Sequence, residues 1–127
     1  MSPYRIAVKN DDDTIRVYAS MLSIDQKTGR RRVLIVERIL PALAPMTWND
    51  VIAEAHKMTC TRNSVIKAGY EFFKQENHTY AIYRSDWCKP GTFQGELDSA
   101  YYTQADCLVA CMHDYVAIHD LEVLAVI

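Results

Sequence analysis

A chain of 127 residues, half of them hydrophobic and about a quarter charged, has room for one domain with a core that needs no disulfide or metal staple. No apolar run reaches the length of a membrane span, and the opening MSPYRIAVKN has no signal-peptide core, so the sequence argues against a membrane protein and points to a cytoplasmic one with reduced cysteines. The net charge of −2 is uneven: residues 25–75 hold nine Lys/Arg against five Asp/Glu, whereas residues 76–127 hold two against eight, a split that suggests an anionic partner for the middle and an acidic surface behind it.

In chain order, Tyr4 to Lys9 reads as a first strand and Asn10 to Asp13 as a polar turn. From Thr14 to Ser23, Ile15, Val17, Ala19 and Met21 alternate with less apolar residues, the period of a half-buried strand. Gly29 then permits a tight turn, and Arg31 to Leu40 carries the apolar run Val33 to Val36 of a central strand. Pro41 and Pro45 end this meander, because proline cannot continue a ladder.

Thr47-Trp-Asn-Asp50 resembles a capping box, and Trp48, Val51, Ile52, Ala55 and Met58 follow at helical spacing. After a break at Thr59 to Thr61, the reading places a second helix from about Arg62 to Gln75. Thr79 to Tyr83 and Phe93 to Tyr102 read as strands. Thr103-Gln-Ala-Asp106 repeats the cap before a helix through Ala105, Leu108, Val109, Met112 and Val116, and Leu121 to Ile127 closes the chain as a strand.

The expected fold is α+β: a mainly antiparallel sheet, built from an N-terminal three-stranded meander and C-terminal strands, with about three helices packed on one face. The single domain, 1–127, divides into a meander over 1–40, a helix pair over 47–75, and strands, helix and final strand over 78–127.

The spacing from Ala55 through Met58, Cys60 and Val65 to Ala68 puts a small residue at a helix crossing, with apolar residues around the turn. Over about twenty residues, 51–70, this resembles the helix-turn-helix of DNA-binding regulators, and "RNSVIKA" is similar to the start of a recognition helix in bacterial and phage repressors. Thr59 stands where that family usually has glycine, and Glu54 where an apolar residue is commoner. The resemblance implies a regulator that reads double-stranded DNA, with Arg62 and Asn63 on bases and Thr61, Ser64 and Lys67 on phosphate. Arg30, Arg31 and Arg32, at a hairpin tip, would add backbone contacts.

The alternative is a protein-interaction module, an inhibitor or adaptor of the compact kind that phages and mobile elements encode. Tyr83, Trp87, Tyr101 and Tyr102 with Glu96 and Asp98 would then form an acidic-aromatic docking face, since Tyr and Trp bury large area while keeping a polar handle. Either way the expectation is a non-catalytic binding protein without a cofactor, whose partner is a protein or double-stranded DNA, with a homodimer among the assemblies allowed. No metal is expected; His56, Cys60, Cys107 and Cys111 would suit zinc only if their two helices met. Cys88 beside Lys89 is the best nucleophile candidate, with His78, His113 or His119 as base, yet no spacing ties them together.

Overall fold

Three strands open the chain as the alternation predicts: β1 (Tyr4–Lys9), β2 (Ile15–Ile24) and β3 (Arg31–Ile39), paired antiparallel in sequence order. They belong to a computed structural model that describes every residue except 1, 11, 13, 41–46, 59–64, 86, 87, 90 and 92, and the side chain of Val65. Gly29, at φ 71°, takes the left-handed conformation that closes the β2–β3 turn.

From Val65 on, the expected helix from Arg62 to Gln75 is not a helix. Its described part is strand β4 (Val65–Lys74), paired antiparallel with β3 from Glu37 opposite Val65 to Arg32 opposite Glu71. Ala68, Tyr70 and Phe72 enter the core at a period of two, and β-branched and aromatic residues crowd the segment, as a pleated, buried surface favours. Among its described residues, the expected helix pair over 47–75 is therefore a helix followed by a strand. β5 (Tyr80–Arg84), β6 (Glu96–Tyr101) and β7 (Val123–Val126) complete one seven-stranded sheet of order β6-β5-β4-β3-β2-β1-β7, curled as a half-barrel.

Only two helices are described, not three, and they do not share a face. Helix α1 (Trp48–His56) packs Val51 and Ala55 against Ala7, Val17, Ala19 and Val36. Helix α2 (Gln104–His119) turns Cys107, Leu108, Cys111, Met112 and Tyr115 onto the other face, against Ile6, Tyr18, Ile35, Tyr70 and Ile82. The cause lies in the middle strands, where every position from Val17 to Met21 and from Val33 to Glu37 is buried. A strand apolar on both sides has to be covered on both sides.

Both expected caps are present. The Thr47 and Thr103 hydroxyls accept from Asp50 N (3.3 Å) and Asp106 N (3.1 Å), and each Asp carboxylate accepts the Thr backbone N–H in return. Thr103→Ala, which leaves one helix N–H without its side-chain acceptor, is expected to cost about 1 kcal/mol, measured by urea denaturation. Ser20, fully buried on β2, donates to the Leu108 carbonyl at 2.7 Å and lets α2 approach the sheet closely. No helix among the described residues is long and apolar enough to cross a membrane.

Candidate functional site

Where β6 runs into α2, a groove of about 520 Å³ opens between the strand's end and the first half of the helix. Ala100, Tyr101 and Tyr102 line it on the β6 side, and Asp106, Val109, Ala110 and His113 on the α2 side. The cap built by Thr103 fixes the sharp exit from β6, so Tyr102 stands at the mouth and is 75% exposed. Tyr101 is tucked further in, and burial, with Asp98 near it, raises its phenol pKa. His113 stacks edge-on against Tyr4 at 6.3 Å, which holds the far wall in place. Val109 and Ala110 supply the apolar floor; one turn of helix separates Asp106 from Ala110, so the acid is at the rim.

The expected acidic-aromatic face is divided by the sheet. Tyr101 and Tyr102 meet the groove on the α2 side. Tyr83 and Glu96 lie on the opposite side, where Tyr83 donates to Glu96 Oε2 at 2.9 Å and packs against Phe73. That hydrogen bond is the main reason the Tyr83 phenol pKa is raised. Asp98 sits on β6 and spends its carboxylate on the N–H groups of Ser99 (2.7 Å) and Ala100 (3.2 Å). Trp87 lies outside the described residues. Val109 and Ala110 were not singled out as site residues from the sequence. Their signal is the stripe Asp106, Val109, Ala110, His113 on the side of α2 away from its buried residues, which is visible only once that buried side is known.

Of the residues expected to read DNA, Thr61, Arg62, Asn63 and Ser64 lie outside the described residues. Lys67 is on β4 rather than on a helix, and its Nζ is 3.3 Å from Glu37 Oε1. Arg30 and Arg32 both pair with Glu71 across the β3–β4 ladder, the second at 3.8 Å, while Arg31 is exposed. The basic excess of the middle is thus partly spent within the fold.

His56 ends α1, and Cys107 and Cys111 are on α2, so the sheet stands between them; Cys60 is outside the described residues. Among the described residues no group of three His, Cys, Asp or Glu is placed to hold a metal ion. Cys107 and Cys111 are fully buried, and burial pushes the Cys107 thiol up to about 11 and Cys111 well above its ordinary value. Cys88 is also buried, its thiol 3.7 Å from the Gly69 carbonyl and its pKa raised by desolvation. These are protonated core residues, the opposite of an activated nucleophile. The neighbouring Lys89 donates to the Ile118 carbonyl at 3.3 Å.

Two buried polar clusters serve the fold. Arg84 grips Asp114 through Nε (3.0 Å) and Nη2, and Tyr70 donates to the same carboxylate at 2.8 Å, tying α2 to β4 and β5. Glu37, 3% exposed on β3, receives Arg16 (3.4 Å) and Lys67. In neither cluster do a nucleophile and a base converge on open space. Compared with protein-family models, with curated proteins and with solved structures, the chain gives no match.

Proposed function

We propose that this chain is a non-catalytic protein-interaction module, an adaptor or inhibitor that acts by occupying a partner, with the β6–α2 groove as its binding face. The observation that carries this reading is the groove itself. It joins an apolar floor to two tyrosines and an acidic rim, the composition of an interface centre rather than of a solvated surface. The surrounding charge selects the partner: eight acidic residues against two basic ones over 76–127 favour a partner that presents Lys or Arg beside an apolar side chain. Asp98 already satisfies two N–H groups of β6, so recognition runs through side chains in the groove and not through strand addition along β6. The DNA reading rested on a second helix from about Arg62, and the described part of that segment is β4.

The test is selection of peptides from a random library on the immobilised full chain. Enriched peptides are expected to carry an aromatic or aliphatic residue flanked by Lys or Arg, and their affinity should fall about tenfold or more in Tyr102→Ala and Val109→Glu. Their binding should also weaken as salt rises. Acidic winners, or winners indifferent to both substitutions, would remove this assignment.

A further inference from the structure

The two edges of the sheet are built differently. β6 carries Glu96 and Asp98, its pairing with β5 is broken by two register shifts, and Asp98 covers two of its N–H groups. Charges, bulges and occupied donors are what keep an edge from recruiting another strand. β7 carries no charged residue over Val123–Val126, and its pairing with β1 shifts register once, between Ala125 and Val123. It reads Val-Leu-Ala-Val, and Leu124 and Val126 are 44% and 59% exposed. On its inner side Ala125 lies opposite Ala7, and Ile127 N donates to the Arg5 carbonyl at 3.0 Å. Because ladder groups alternate along an antiparallel strand, Val126, between Ala125 and Ile127, turns its backbone groups to the outer edge. Among the described residues nothing pairs there.

We infer that β7 pairs antiparallel with β7 of a second copy of this chain about a twofold axis, joining the two sheets into one. Charge singles out a second copy as the occupant. Glu122 stands exposed just before β7, and Arg5 stands on β1 beside the other end of β7, its Nε buried and, among the described residues, without a hydrogen-bond partner. Antiparallel pairing lays the start of one β7 against the end of the other, which brings Glu122 of each copy to the end marked by Arg5 of the other. About two strand spacings, roughly 10 Å, separate the two backbones, a gap the two side chains can span together. The faces agree as well. Lys9 N donates to the Glu122 carbonyl at 3.3 Å, which sets Glu122 opposite Lys9, and Lys9 and Arg5 alternate onto the same face of β1. Twofold symmetry forms the pair twice. Pairing β6 with β6 would instead set Glu96 and Asp98 against their own copies, a like-charge arrangement that opposes association. The dimer leaves the β6 edge and its groove free at both ends and so presents two binding faces, but it does not depend on what the groove binds.

Sedimentation equilibrium on the full chain tests the inference. The wild type is expected at twice the 14.6 kDa chain mass, and Leu124→Lys, at an exposed position, at the single-chain mass with an unchanged far-ultraviolet circular dichroism spectrum. Glu122→Arg and Arg5→Glu should each weaken the dimer about tenfold or more, and the double exchange should restore it, as coupled interfacial charges do. A wild-type monomer at the highest soluble concentration overturns the inference. So does a dimer that survives Leu124→Lys, or a charge exchange without recovery.

Discussion

Asp114→Ala is expected to destabilise the protein by about 3–5 kcal/mol, because it breaks a largely buried ion pair from one side. The side chains of Arg84 and Asp114 are only 13% and 14% exposed, so water replaces little of what is lost. Removal of the carboxylate leaves the Arg84 guanidinium, among the described residues, with the Phe93 carbonyl on Nη1, and takes the charged acceptor from the fully buried Tyr70 hydroxyl, which keeps the Cys88 thiol beside it. It also cuts the polar tether that holds α2 to β4 and β5. Tyr70→Phe leaves the ion pair in place and removes only the hydroxyl that bonds Asp114 and the Cys88 thiol, and should cost about 1 kcal/mol. Urea unfolding of the two single variants and the double variant gives the coupling energy directly. A loss below about 1 kcal/mol in Asp114→Ala would show that the cluster is solvated and holds nothing.

Steep alkaline unfolding is the second large effect. The thiols of Cys88, Cys107 and Cys111 and the phenols of Tyr18, Tyr70 and Tyr115 are all raised, in each case chiefly by burial, Tyr115 to about 12. Each of these groups keeps its proton in the folded chain at a pH where the unfolded chain has already released it. The folded state then binds more protons, so stability falls as pH rises: from near pH 9 for the thiols, whose ordinary value is 9.0, and from near pH 10 for the phenols, whose ordinary value is 10.0. Each group adds up to about 1.4 kcal/mol per pH unit to the slope until its folded pKa is passed, so a few units of pH suffice to exhaust an ordinary domain's stability. Circular dichroism and tyrosinate absorbance should change together, the phenols ionising only as the chain opens. Cys111→Ala removes one of these groups and should make the alkaline decline shallower. A protein that ionises its buried tyrosines while still folded would contradict the burial on which this rests.

Much of the fold was legible because local rules and tertiary context agree there. Alternation in β2, the apolar run of β3, and the Thr-x-x-Asp starts of α1 and α2 each encode their element within ten residues or so. β4 was not legible because two periods compete in it. Val65 and Ala68 are spaced for a helix, and the Thr-Arg-Asn-Ser before them looks like a cap. The period of two through Ala68, Tyr70 and Phe72 wins since it lets all three enter the core beside Ile35 and Ile82. Gly69 was a further sign. A glycine inside a strand marks the close approach of another backbone, and here its carbonyl accepts from Ser85 N at 3.3 Å while the Ser85 hydroxyl and the Cys88 thiol reach it too. The helix-turn-helix resemblance fails at the same point. Ala55 and Met58 do pack as its first helix requires, but they pack on the sheet.

By itself, the sequence determined the meander, the two capped helices and the acidic character of the second half, because each depends on neighbours a few residues apart. Its unbroken burial signal in Val33 to Val36 also implied two covered faces, although the reading put every helix on one. Which helix covers which face was decided only by the tertiary structure, as was the identity of β4, through contacts between residues far apart in the chain. The same holds for the site. Tyr102 and Asp106 were visible as residue types, but a groove exists only where β6 and α2 diverge, and the direction of that divergence is set by Ser20, Tyr70 and Arg84 gripping the helix from three other strands.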